Sequence, residues 1–361
     1  MARRIPIKVW VGVAFSLAFT VFFVWTVEWA ELAQAMRQVH VHWVAVASLL
    51  LLSEFALRAV RWKVLLRPIV PQARIRDLFV ASVIGAAANT LLPLRAGEVA
   101  KALVAARKTG AGIPQVISTA VMERVYDIFG LVCVLVTMVV VLPDDPTRGA
   151  EELELVDNLK LYGGMFGAVA LGCMVVFFAL ASRGHQARGL FQRLSHLAPK
   201  PIASKFDELF DGFVEGLANA RDLSGIWQAG LLSLGVWFNG ALAIYVLFAA
   251  FDLDLPFGAA CFTAVAIALT VAIPQAPGFF GVFHVAMEKT MTLWAVSSGP
   301  AGAFAIVFWG VSFLPVTLVG LAALWREGLS LGSLWSRDGQ PGGEPGVAPV
   351  PVADSMDGGD L

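Results

Sequence analysis

Long apolar runs constrain this chain more than anything else in it. Stretches of about 18 or more largely apolar residues, long enough to cross the hydrocarbon core of a bilayer, recur at 9–27, 43–65, 115–142, 159–182, 226–251 and 302–325. A buried soluble core explains one such run, not six. Composition agrees: 58% of residues are hydrophobic, 15% are charged and the mean hydropathy is +0.75, whereas soluble domains are roughly half apolar and a quarter charged. The fold class is therefore an all-α polytopic membrane protein.

Met1-Ala2-Arg3-Arg4 followed by apolar residues resembles a signal peptide. The run is too long for an h-region and Glu28-Trp29-Ala30-Glu31, not a small-x-small site, follows it, so it reads as a retained first span. Cys133, Cys173 and Cys261 all fall in apolar runs; an odd number of scattered thiols fits neither a disulfide framework nor a metal cluster. With a net charge of −1, nothing points to nucleic acid.

Two further apolar segments, 78–92 and 256–273, are short and run into Pro/Gly interruptions: Pro93 to Gly97 in the first, and Pro274, Pro277, Gly278 and Gly281 in the second. Proline removes a backbone donor and glycine loosens a helix, so both should break near membrane depth. Charge placement then sets sidedness. Arg3, Arg4 and Lys8, the group Arg58, Arg61, Lys63, Arg67, Arg74 and Arg76, then Lys101, Arg107 and Lys108, and the connection at 183–222 are read as cytoplasmic; the acidic loops at 144–157 and 252–254 as external. The result is span, span, re-entrant broken hairpin, span, written twice in opposite orientation: six full spans plus two re-entrant hairpins, eight hydrophobic segments in all. Matching interrupted segments in inverted halves point to a transporter with its site at the repeat interface; ordinary kinked helices give the same charge pattern. The membrane domain is placed at 1–327, with halves at about 1–142 and 158–327 and an amphipathic cytoplasmic connection at 183–222. The Gly/Pro/Asp-rich 328–361 reads as a disordered cytoplasmic tail. Tryptophans including Trp43, Trp62, Trp227 and Trp325 form an interfacial belt. The expected location is a bacterial inner membrane, with both termini cytoplasmic.

Ionisable residues inside spans are costly, and they mark function. Glu123, Arg124 and Asp127 share one helix face, with Arg124 roughly 14 Å into its span. They form either an anion site or a structural ion-pair network. In the first hairpin Asn89, Pro93, Arg95, Glu98 and Lys101 stand at a helix start whose N–H groups and dipole favour an anion such as a phosphodiester, or else serve as a cap with snorkelling cations. In the second, Pro277, Gly278 and Gly281 permit a reversal, and His284 and Glu288 follow at i, i+4; such a histidine either senses protons or binds a head group, or is a satisfied polar residue. No P-loop, HExxH, GxSxG or Cys/His metal spacing occurs, so no metal or cofactor is expected, and any transport is ion-coupled, facilitated or driven by a partner.

The motifs Asn89-x-x-Leu92-Pro93-x-Arg95-x-Gly97-Glu98, Glu123-Arg124-x-x-Asp127 and Pro277-Gly278-x-x-Gly281-Val282-Phe283 resemble the flippase-like transmembrane family typified by the membrane half of lysylphosphatidylglycerol synthase, over roughly residues 5–325. The resemblance implies translocation of lipids or lipid-linked head groups and carries Asn89, Pro93, Arg95, Gly97, Glu98, Glu123, Arg124 and Asp127 as site residues, with Pro277, Gly278 and Gly281 as hairpin residues. Lys101, Phe279-Phe280 and His284 depart from the usual Arg, Gly-Leu and Glu of that pattern, which bears on head-group preference. No aminoacyl-transferase domain accompanies the spans, so lysylation by this polypeptide is not expected. The expected substrate is a phospholipid or polyprenyl-linked lipid in the bilayer. An intramembrane enzyme acting on a lipid phosphate, with Glu98, Glu123 or Asp127 as base, and a non-catalytic partner of a lipid-modifying enzyme are the alternatives kept open; association with such an enzyme or with a second copy of the chain is compatible with the sequence.

Overall fold

The computed structural model describes residues 20–25, 28–92, 96–141, 223–272 and 277–329, with a few positions between 161 and 172. The expected spans at 9–27 (apart from 20–25) and 159–182 (apart from those few positions), the connection at 183–222 and the tail beyond 329 lie outside the described residues.

Within them the chain is helical, and no strand occurs among the described residues. The helices are α1 (Trp29–Gln38), α2 (Val41–Leu66), α3 (Ile75–Leu91), α4 (Gly97–Thr109), α5 (Ile113–Val141), α6 (Leu223–Ala249), α7 (Phe257–Ala272), α8 (Val282–Thr292) and α9 (Ser298–Arg326). Four of them, α2, α5, α6 and α9, are long and apolar enough to span a membrane. At 1.5 Å per residue they run roughly 39–44 Å, beyond the ~30 Å hydrocarbon core. These four match the expected spans within a few residues, and the chain is a multi-pass membrane protein.

The short helices end where local chemistry requires. Leu92 turns extended (φ −109°, ψ 146°) directly before Pro93, the conformation a following proline imposes. Helix α4 stops at Gly110 in the left-handed region (φ 74°), a common glycine terminator. Helices α3 and α7, at 17 and 16 residues, are each followed by a break and by a second short helix, α4 or α8.

Two sets of helices pack against each other. In the first, α3 packs on α2 and α4, and α4 on α5. In the second, α7 packs on α6 and α8, and α8 on α9. Between the sets α2 lies along α6, α3 against α9, α5 against α6 and α7, and α2 against α9. Trp62, Leu66, Leu78, Ile84 and Val104 form the core of the first set; Phe248, Phe283, Met287, Phe304 and Phe308 that of the second. Trp62 is fully buried and its indole N–H donates to Thr119 Oγ1 at 2.9 Å. It belongs to the core and not, as the sequence suggested, to the interfacial belt.

Candidate functional site: an ion-pair cluster beside a two-part cavity

Helix α2 carries charge into an otherwise apolar span. Arg61, with no exposed side-chain surface, donates to Asp127 Oδ1 at 2.7 Å and to Ser233 Oγ of α6 at 2.6 Å. Arg58, one turn earlier, pairs with Glu54 at 2.6 Å and stands 3.8 Å from Asp127. On α5, Arg124 reaches Asp127 at 3.2 Å and Glu98 of α4 at 2.7 Å. Lys101 of α4 donates to Glu123 and sits 4.2 Å over the Trp62 ring. Among the described residues four cations (Arg58, Arg61, Lys101, Arg124) thus interlock with four carboxylates (Glu54, Glu98, Glu123, Asp127). These charges balance among the described residues, in keeping with the cost of an unpaired charge away from water.

The hairpin of α3 and α4 positions the α4 charges. Asn89 Oδ1 accepts from the Gly97 N–H at 2.9 Å, which caps the first turn of α4. The helices approach so closely there that a Cβ on Gly97 would lie 2.0 Å from the Gly85 carbonyl oxygen and 2.5 Å from the Asn89 side chain. One of the N–H groups expected to face an anion is therefore already engaged.

The cluster has a buried side and an open side. Glu54, Arg58, Glu98, Lys101 and Arg124 line a cavity of about 300 Å³ between the two helix sets, closed on its other wall by Val271, Phe279 and Phe313. Arg61, Glu123 and Asp127 do not line the cavity; they sit on the buried side of the charged wall, behind Arg58, Lys101 and Arg124. A second, more apolar cavity of about 250 Å³, lined among others by Trp237, Ile244, Ile267 and Phe308, shares Glu54, Phe55, Arg58, Val271, Ser312 and Phe313 with the first. A charged compartment and an apolar one thus adjoin at the Glu54–Arg58 pair.

The second break holds no part of the ion-pair cluster. The 3-10 turn Pro277–Phe279 packs on α3. Gly278 and Gly281 take φ of 78° and 84° and Phe279 takes 58°, the left-handed region that glycine enters freely and phenylalanine does not. The indole N–H of Trp309 donates to the Gly278 carbonyl at 2.7 Å, and Phe279 stacks on Phe313 with centroids 5.1 Å apart. His284 and Glu288 lie on the buried face of α8.

The pattern that defines the lysylphosphatidylglycerol synthase TM region matches residues 9–320. The chain belongs to that family. Among curated proteins it is 25% identical, over 77% of this chain and 81% of the relative, to a UPF0104 membrane protein of Methanothermobacter thermautotrophicus. It is 23% identical to a UPF0104 membrane protein of Methanocaldococcus jannaschii, over 64% of this chain and 90% of the relative. It also matches the glycosyltransferase AglD of Haloferax volcanii at 23% identity, over 77% of this chain but 47% of that longer protein. No solved structure matches. These relatives are archaeal, so the similarity does not single out a bacterial inner membrane.

Of the residues singled out in the sequence, the structure gathers Asn89, Gly97, Glu98, Lys101, Glu123, Arg124 and Asp127 around one cavity wall. It sets Gly278, Gly281, His284 and Glu288 apart at the second break, while Pro93 and Arg95 lie outside the described residues. Lys101 and Glu98 of α4 reach across to Glu123 and Arg124 of α5. The sequence reading missed Glu54 and Ser233, and it placed Arg58 and Arg61 with the cytoplasmic connection although both belong to α2 and to the cluster. Their signal was present: charges four and seven residues after Glu54 inside an apolar run mark one helix face. Among the described residues no group of three or more His, Cys, Asp or Glu is placed to hold a metal ion.

Proposed function

We propose that the protein carries a phosphate-bearing lipid across the membrane through the space between the two helix sets. The observation that supports this most directly is the pair of adjoining cavities. The charged one offers Arg58, Lys101 and Arg124 to a phosphate, and the apolar one beside it offers Ile244, Ile267 and Phe308 to hydrocarbon. A lipid needs both compartments in contact, whereas a soluble anion needs only the first.

The inverted repeat fits the packing. Exchange α2 with α6, α3 with α7, α4 with α8 and α5 with α9, and the main helix contacts map onto one another, with partners of similar length. Such halves rocking about a fixed site are a general route to alternating access. In this reading the first hairpin faces the cytoplasm and the second the outside, in an energy-coupling cytoplasmic membrane with both termini inside. In this reading an arriving phosphate takes the place of a resident carboxylate, Glu98 on Arg124, and the half-exposed Glu98 side chain turns to the open side of the cavity, where its charge stays hydrated.

A second reading, a non-catalytic membrane unit that serves a lipid-modifying enzyme, draws on the match to AglD, where the similar region makes up 47% of a protein named a glycosyltransferase. A lipid-linked sugar phosphate suits the same cavities.

The test is movement of a fluorescent phosphatidylglycerol between leaflets of proteoliposomes holding the purified chain. Arg124→Ala, with Arg61–Asp127 intact, should reduce movement to the protein-free rate while thermal stability in detergent stays close to that of the parent. Unchanged movement in that variant would remove the proposed role of the cluster.

A further inference from the structure

His284 and Glu288 stand one helical turn apart on α8, with 0% and 1% of their surface exposed. Among the described residues neither imidazole nitrogen has a hydrogen-bond partner, nor does Glu288 Oε2; Glu288 Oε1 accepts from the half-exposed Lys289 at 3.3 Å. Around the imidazole stand four aromatic rings, with centroids at 4.4 Å (Phe280), 5.1 Å (Phe23), 5.9 Å (Phe283) and 5.9 Å (Trp309). Buried polar atoms without partners cost free energy, and in membrane proteins buried acids and bases line ion and proton paths.

The site suits one ligand. A metal ion needs several donor atoms, and four rings supply none. A proton needs only a lone pair, which either imidazole nitrogen offers. Once bound it makes the ring a cation that aromatic faces attract, one turn from a carboxylate of opposite charge. The packed elements bring few other titratable groups. Helix α8 adds Lys289 and α7 adds Cys261; α9 has none before Arg326 at its far end, and residues 20–25 have none. Helix α1 carries Arg37 and Glu31, the latter against Gly299 at the start of α9.

The geometry points to a proton-binding site at His284 and Glu288 whose occupancy sets the packing of the second break. Two rings carry the effect. Trp309 touches the imidazole and holds the Gly278 carbonyl through its indole N–H. Phe280 touches the imidazole and immediately follows Phe279, which lines the charged cavity. A charge arriving on His284 draws both rings toward it and shifts the turn that carries Phe279. The proton site stands without the lipid reading; only its coupling to lipid movement rests on that reading.

The experiment is fluorine NMR of the full chain, with tryptophan replaced by 5-fluorotryptophan, in lipid nanodiscs, the Trp309 resonance being assigned by W309F. Between about pH 3 and pH 8 that resonance should move in a single one-proton step. The step should be absent in H284Q. In E288Q it should be displaced toward acid by about one pH unit, a tenfold weaker hold on the proton. A resonance unmoved across that range in the parent protein, or an equal step in H284Q, overturns the site. An E288Q step superposed on the parent's removes Glu288 from it, and this variant keeps the imidazole if H284Q does not fold. No lipid movement is read, so these outcomes are independent of the Arg124→Ala test.

Discussion

Arg61 and Asp127 meet at 2.7 Å in a place where the arginine side chain has no exposed surface at all. The pair joins α2 to α5, and a second guanidinium hydrogen bond, to Ser233, ties in α6. Asp127→Asn would leave Arg61 buried with a hydroxyl and the more distant Glu123, at 3.9 Å, as its partners. Removing one partner of a buried pair commonly costs about 3–5 kcal/mol. Thermal unfolding in detergent should show a fall of that order, far larger than for Lys289→Gln, where the ammonium is half exposed. A change within about 1 kcal/mol would mean that this pair does not hold the helices together.

Glu98 and Arg124 make the opposite case, since both are about half exposed to the cavity. On the proposed lipid reading, Glu98 holds the place on Arg124 that a head-group phosphate would take. Glu98→Gln should therefore raise retention of phosphatidylglycerol on the purified protein, read by native mass spectrometry, by about fivefold, or about 1 kcal/mol. Weaker retention would show that the carboxylate recruits the head group, not that it competes with it.

The sequence made the spans legible because a 3.6-residue helix in lipid leaves a composition signal on every face. It also showed Glu123, Arg124 and Asp127, since charge inside an apolar run stands out. Arg58 and Arg61 escaped because they fall near the end of α2, next to Arg67 and Arg74, where lysine and arginine ordinarily mark the cytoplasmic side. Run length cannot separate a snorkelling arginine from one turned inward; the carboxylates opposite, Asp127 and Glu123, decide it, and they lie about 60 residues away. Trp62 was misplaced for a similar reason, as a residue near a span end whose indole in fact donates inward to Thr119. That His284 and Glu288 share a face was readable from i, i+4 spacing, but two of the four rings around the imidazole, Phe23 and Trp309, come from distant stretches of chain.

Gly97 and Gly110 bound the same short helix for different reasons, and this separates two kinds of glycine cost. At Gly97 an added methyl would overlap the Gly85 carbonyl and the Asn89 side chain. Gly97→Ala should force the α3–α4 hairpin apart and destabilise by at least ~1–3 kcal/mol, with lipid movement lost. At Gly110 nothing lies within 4 Å, and the cost is the left-handed backbone at φ 74°, about 1–2 kcal/mol. Gly110→Asn should recover most of that loss, because asparagine tolerates this region, while Gly97→Asn should not. Equal rescue at both sites would exclude close packing as the reason for Gly97.

Helix α2 also offers a direct measure of how the chain lies in the bilayer. Its start is fixed by His40, whose backbone N–H donates to the Ala250 carbonyl at 2.9 Å and whose ring meets Asp252 at 3.1 Å. Arg67 follows its end. The 26 residues between span roughly 39 Å, so Asp252 and Arg67 stand at opposite ends of a membrane-crossing helix. In a background with Cys133, Cys173 and Cys261 replaced by serine, Asp252→Cys and Arg67→Cys should react with an impermeant maleimide from opposite sides of oriented vesicles, Arg67→Cys from the cytoplasmic side. Reaction of both from one side would mean that α2 does not cross, and the cavity beside its Glu54 and Arg58 would not lie between two water-exposed faces. Reaction from opposite sides with Arg67→Cys outermost would keep the crossing and reverse the orientation that the lysine and arginine bias assigns.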